Sequence, residues 1–232
     1  MKLMDNSVKD PTARRRDFLK ASAATAGLLM LPGCASLADW SYTDAIRRLL
    51  ERATGNAFAR LTEQDGFWNS AVARIGLPGL FGSRGTVIEG ILASTVFRKK
   101  LQRRFNRIAE DGARRAAPVV ADAVRTIGTE NAVAILKGES KAATALLRGE
   151  LGTSLVTAMI PALGDAMRLA DDPILGQALS TLSGVDIPQA AQALSVEVDN
   201  AIWAEIGAAE AEIRADPEAT GDPVLIAALK TL

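Results

Sequence analysis

The sequence predicts an all-α protein, a single multi-helix bundle domain behind an N-terminal signal and lipobox segment. Three observations predict it. Apolar residues recur at steps of three and four along most of the chain. Aromatic residues make up only 4% of it while alanine and leucine are abundant, which favours helix over strand. No alternating apolar–polar run of strand length appears. The 232 residues divide into a signal with lipobox (1–33), a lipidated tether (34–41) and an all-helical domain (42–232).

The first element is an export and anchoring segment. Arg14-Arg15-Arg16-Asp17-Phe18-Leu19-Lys20 resembles a twin-arginine signature, with Arg15 and Arg16 as the pair and Phe18 and Leu19 behind it. Ala21 to Leu31 is an apolar run of eleven residues, too short to span a bilayer and suited to a secretory h-region. Leu31-Pro32-Gly33-Cys34 resembles a lipobox, with Pro32 unusual at its place, and marks Cys34 as the lipidation site. The ordered combination is more specific than any one part. It predicts a protein lipid-anchored on the periplasmic side of a bacterial envelope. Ala35 after the cysteine favours the outer membrane over the inner. Because the twin-arginine route carries folded proteins, the domain is expected to fold without disulfides.

Helical elements follow in order. Ser41 or Thr43 caps a first helix with Ile46, Leu49, Leu50 and Ala53 on one face; Gly55 interrupts it, and Phe58 and Leu61 resume the stripe. Asp65-Gly66 breaks the pattern, and Phe67 to Pro78 reads as a packed loop. A long amphipathic helix is expected from about Thr86, with Ile88, Phe97, Leu101, Phe105 and Ile108 on its apolar stripe. Pro118 is placed at the start of another helix, and Thr129 at the cap of a short one that ends at Gly138. Ser140 opens the next, and Leu151 to Leu169 continues helical with a kink or restart at Pro161. Asp171-Asp172-Pro173 begins a further segment. The last long helix runs from about Gln189 to Ala215, stopped by Asp216-Pro217, and Pro223 starts a short terminal one.

Composition excludes several chemistries. The chain has no histidine and a single cysteine. Histidine-based triads, histidine-ligated metals and multi-cysteine sites are therefore absent, and neither a metal nor another cofactor is expected. Charge is uneven. Residues 34–149 carry 18 basic and 11 acidic side chains (+7), and residues 150–232 carry 3 and 13 (−10). Two readings stand: an anionic partner for the first half, or neutralisation of one half by the other.

The sharpest candidate site is the polar face of the long helix, with Arg98, Lys99, Lys100, Arg103, Arg104 and Arg107. Such a face suits anionic lipid headgroups, at about 1 kcal/mol per charge, and complements an acyl anchor that holds weakly alone. Nucleic acid is a poor partner because no aromatics interleave with the cations. Asn106, Arg107, Glu110 and Thr144 form a candidate polar cluster. Asp171, Asp172, Glu197, Asp199 and Glu205 are the candidate acid/base groups, with helix capping or a solvated face (Glu197 to Glu212) as the plainer reading. Trp40 and Tyr42, close to the anchor, suit a lipid–water boundary.

Several landmarks resemble the bacterial family called domain of unknown function 4197. They are Asp65-Gly66-Phe67 with Ile75 and Leu77-Pro78; Asn106-Arg107 with Ala109-Glu110 and Ala117-Pro118; Ile135-Leu136 with Gly138 and Ala142-Ala143-Thr144; Pro161; and Ile213-Arg214 with Asp216-Pro217. The resemblance spans roughly residues 42–230. It implies an all-helical envelope protein without an assigned activity. This chain departs from the pattern by about four extra residues between Glu110 and Pro118, about one helical turn, by Leu146 where the family has an aromatic, and by a shortened approach to Trp203. Together these readings favour a lipid-anchored, non-catalytic binding or structural domain that contacts anionic lipid, cell-wall material or an envelope protein. The alternatives are a carboxylate-dependent hydrolase of cell-wall glycan and a carrier of an apolar ligand.

Overall fold

In the computed structural model of the chain, residues 41–77, 94–128, 130–169 and 187–231 are described, all within the unit Trp40–Leu232. Arg15, Arg16, Phe18, Leu19, Cys34, Trp40, Asp171 and Asp172 lie outside them, as does the stretch expected to begin the long helix at Thr86. Among the described residues there are eight α-helices, one 3-10 turn and no strand.

Helix α1 (Tyr42–Thr62) starts on Ser41. The Ser41 hydroxyl accepts from the Asp44 N–H, and the Asp44 carboxylate accepts from the Ser41 N–H, each at 3.1 Å. This reciprocal box satisfies two otherwise unpaired donors, and the Ser41 bonds hold the Asp44 carboxyl below its usual range. Gly55 does not interrupt α1. A glycine inside a helix costs up to about 1 kcal/mol relative to alanine, and burial of Ala53, Thr54, Ala57 and Phe58 around it outweighs that.

The expected loop after α1 contains a one-turn helix, α2 (Gly66–Asn69), which buries Phe67. Ile75 and Leu77 behind it are also buried. Helix α3 (Thr95–Thr126) is capped by Ser94 and runs unbroken through Pro118. The sequence placed a helix start there; the structure does not. Pro118 is exposed, as is Arg114, whose carbonyl the proline cannot bond. Ala113, Ala116, Val120 and Val124 are buried on the other side and hold the axis together across it. The stretch from Glu110 to Pro118 lies wholly inside this continuous helix.

Helix α4 (Ala132–Lys137) follows Asn131 and stops at Gly138. Helix α5 (Ala142–Leu151) follows Lys141, so neither Ser140 nor a lysine side chain caps it. Gly152, at φ 51°, separates α5 from α6 (Ser154–Leu169). Pro161 lies within α6, which neither restarts nor ends there. Leu155, Met159, Leu163 and Met167 form its buried stripe. Helix α7 (Ile187–Ala215), the 3-10 turn Pro217–Thr220 and α8 (Pro223–Thr231) close the described fold.

Helix α7 is the centre of the bundle and packs on α6, α1, α3 and α5. From Ala201 to Glu210 only Ala204 and Ala208 are not buried. A helix enclosed on nearly all sides is expected to be apolar, yet α7 carries Asp199, Glu205 and Glu210 into the interior. Gly112 on α3 permits close approach, because a Cβ there would stand 3.0 Å from Leu163 and 3.5 Å from Val198.

Candidate functional site

The α3 basic face divides into two parts. Toward its middle, Arg103 grips Asp65 with both ends of its fork, one bond measuring 3.1 Å, and the Arg107 Nε lies 3.5 Å from the same carboxylate. Arg103 holds the Asp65 carboxyl below its usual range. Toward the N-terminus, Arg98, Lys99 and Lys100 are exposed, and none has an ion-pair partner among the described residues. Arg104 is half-buried. Among the described residues, the inner cations Arg103 and Arg107 are thus taken by the turn after α1.

That turn has a constrained backbone. Asp65 sits at φ 61°, the only positive φ at a non-glycine among the described residues. Aspartate tolerates the left-handed region better than most side chains. A Cβ on Gly66 would stand 2.1 Å from the Arg60 carbonyl oxygen, so only glycine fits. Beyond it, Trp68 carries two cations on its ring: the Arg74 guanidinium at 5.1 Å from the centroid and that of Arg103 at 6.0 Å.

Glu110 lies next to this turn and is 5% exposed. One carboxylate oxygen has no hydrogen-bond partner. Burial raises its pKa; the Asp65 N–H and the Arg114 and Arg107 charges oppose the rise without cancelling it. A folded-state pKa above the unfolded one means that the native protein binds more protons. The stabilising contribution is thus present at low pH and lost as pH rises through the raised value. Glu110→Gln, which mimics the protonated side chain, is expected to raise the Tm at pH 7.5 by about 2–4 °C, the shift for roughly 1 kcal/mol in a domain this size. The gain should vanish near pH 4. A gain equal at both pH values would exclude ionisation of Glu110 as its origin.

Asn106, wholly buried, has a different task. Its side chain accepts from the Ile75 N–H at 2.9 Å and donates to the Ile75 and Gln102 carbonyls at 3.0 and 2.8 Å. It thereby ties the segment after α2 to α3. Thr144 is not brought to this cluster. Its hydroxyl and N–H both donate to Glu210 Oε2, at 2.6 and 2.7 Å, while Glu210 Oε1 accepts from the Ala143 N–H at 3.1 Å and Arg214 Nε at 2.8 Å. A carboxylate from α7 thus caps α5, supplying what Lys141 and Ser140 do not. Arg214 in turn donates to the Leu136 and Ile135 carbonyls at 2.7 and 3.2 Å, closing the C-terminal end of α4.

Sequence reasoning placed Glu210 on a solvated face, although it is fully buried. The signal was present: Glu210 stands at i+4 from Ile206 and i−3 from Ile213, on the apolar stripe. Arg60 was also missed. It bonds Glu205 at 3.1 Å and Glu212 at 2.6 Å, and the Ser70 hydroxyl donates to Glu205 at 2.7 Å. Asp199 accepts from Trp203 Nε1 at 2.9 Å and pairs with Arg148 at 3.1 Å. Burial raises the Asp199 pKa; the Trp203 bond and Arg148 oppose it.

Arg48–Asp222 at 3.1 Å adds another pair between the basic first part of the chain and the acidic second. Part of the charge asymmetry is therefore resolved inside the domain. Glu197 is half-exposed, eight residues from Glu205 on one helix, about 12 Å along the axis. No group of three metal-ligating side chains occurs among the described residues, nor any helix long and apolar enough to cross a membrane. An apolar groove lined by Thr54, Gly55, Phe58, Ala117, Ala121 and Val124 lies open between α1 and α3.

Several of the stretches that carried the family resemblance meet in these two clasps, Asp65–Arg103–Arg107 with Asn106–Ile75, and Glu210–Arg214 with Ile135, Leu136 and Thr144. Comparison with curated proteins and with solved structures finds no match, whereas the family described as Protein of unknown function (DUF4197) matches residues 36–229. The chain belongs to that family.

Proposed function

We propose that the protein is held to an envelope bilayer by acyl chains on Cys34 and that its helical domain serves in binding or structural support of an anionic partner, without catalysis. One observation carries the binding part. The buried carboxylates Glu205, Glu210 and Asp199 each bond partners on another helix or loop, whereas Arg98, Lys99 and Lys100 stand exposed. Acids engaged in packing are poorly placed to exchange protons with a substrate. Exposed cations clustered within one helical turn are suited to an anionic surface. The anchoring part rests on the ordered arginine pair, apolar run and Gly33-Cys34.

The test is mass spectrometry of the native chain extracted from membranes. A mature N-terminus at Cys34 with added acyl mass is expected, together with loss of membrane association in Cys34→Ser. Recovery of the intact precursor from the cytosol, its thiol unmodified, overturns the anchoring.

A further inference from the structure

The anchoring end of the domain and its basic end are opposite ends of the bundle. Helices α1 and α3 run antiparallel. Arg114 of α3 donates to the Thr62 carbonyl at the end of α1, and Asp65 beyond it meets Arg107 and Arg103. In the other direction Phe58 and Glu51 share a groove with Ala117 and Arg125. Ser41, where the chain enters α1, therefore lies past the C-terminal end of α3, while Arg98 lies at the N-terminal end of α3. Counted along both helices at 1.5 Å per residue, the separation is on the order of 50 Å. Seven residues lead from Cys34 to Ser41, a reach of at most about 25 Å.

The far end carries more than Arg98, Lys99 and Lys100. Val96 is 63% exposed next to them. One turn on, Arg103 shares the Trp68 ring with Arg74, whose Nε also donates to the Trp68 carbonyl. That bond and the ring fix the Arg74 guanidinium in place, and Arg74 is exposed with no carboxylate partner among the described residues. Preorganised donors lose less freedom on binding than mobile ones.

Resting on the anchoring read from Cys34, we propose that this end docks on an anionic polymer lying off the anchoring bilayer, the carboxylate-bearing glycan–peptide mesh of the cell wall, so that the domain bridges membrane and wall. Headgroups of the anchoring bilayer fit less well, because a tether half as long as the domain secures the opposite end. Single exposed ion pairs are weak. A polymer that repeats its carboxylates, met by a protein confined to one surface, gains from effective concentration.

The experiment uses the full chain carrying Cys34→Ser, mixed separately with purified wall sacculi, vesicles rich in anionic lipid, and neutral vesicles. Sedimentation with sacculi alone is expected. The combined change Arg98→Glu, Lys99→Glu and Lys100→Glu should lower it at least tenfold, as should raised salt, whereas Lys137→Glu, near the tethered end, should leave it unchanged. All four positions are exposed, and matching helical circular dichroism verifies that the variants fold. Equal or stronger sedimentation with anionic vesicles overturns the proposal in favour of lipid. Absence of binding to all three, or an unaffected charge-reversed variant, also overturns it. Acylation of native Cys34 is read independently, so failed docking and failed anchoring give different results.

Discussion

Replacing Glu210 with alanine is expected to destabilise the domain by about 3–5 kcal/mol, the range for removing one partner of a buried ion pair. The two oxygens of Glu210 accept four hydrogen bonds, from Ala143, Thr144 twice, and Arg214. Alanine leaves the first turn of α5 uncapped and the Arg214 guanidinium, whose side chain is 10% exposed, short of its countercharge. Glutamine does not rescue, because its NH2 group would face a donor whichever way the amide is turned. Thermal unfolding should show a fall in Tm of about 10 °C, taking 2–4 °C per kcal/mol for a domain of this length. The double variant with Arg214→Ala should be less destabilised than the sum of the singles, since the pair is coupled. Additive losses, or a Glu210→Ala variant within about 1 kcal/mol of the parent, would remove the clasp from the account of stability.

Asn106→Asp is expected to cost about 3 kcal/mol, and Asn106→Ala a similar amount. The aspartate can still accept from the Ile75 N–H, but it sets a carboxylate oxygen against the Ile75 and Gln102 carbonyls that the native amide bonds. A wholly buried polar group left without a partner carries roughly 1–3 kcal/mol, and an ionised one more. The aspartate variant should recover stability on acidification, because its protonated form donates again; the alanine variant should not. Chemical denaturation at pH 7.5 and pH 4.5 reads this directly. If both variants respond alike to pH, the bonding assigned to Asn106 is wrong.

Much of the fold was legible because it depends on local rules. Ser41 ahead of Asp44, Gly138 after a short apolar run, and Asp216-Pro217 after Arg214 mark helix ends through chemistry confined to a few residues. The stripe from Phe97 through Leu101, Phe105 and Ile108 marks a buried helical face by spacing alone. Errors came where distant packing outweighs local preference. Pro118 reads as a helix start until Val120 and Val124 are seen buried on the same axis as Ala113 and Ala116. Gly55 reads as a break until its neighbours prove to be core. The start of α5 was misplaced because its cap lies 66 residues away in Glu210.

The candidate site divides the same way. Arg98, Lys99 and Lys100 were identifiable as a basic face, but their separation from Arg103 and Arg107, which Asp65 holds, was not.

The sequence by itself determined helix content, the amphipathic character of α3, the exclusion of histidine and multi-cysteine chemistry, and the ordered features before Ser41. Each rests on residue type and short-range spacing. Only the tertiary structure decided which charges are buried and paired and which stay in water, and that the entry to α1 and the first turns of α3 lie at opposite ends. A buried carboxylate needs a partner to offset its lost hydration. Arg214 and Trp203 stand one turn from Glu210 and Asp199. Arg60, Thr144 and Arg148, however, reach Glu205, Glu210 and Asp199 from helices far along the chain, and no local spacing encodes those.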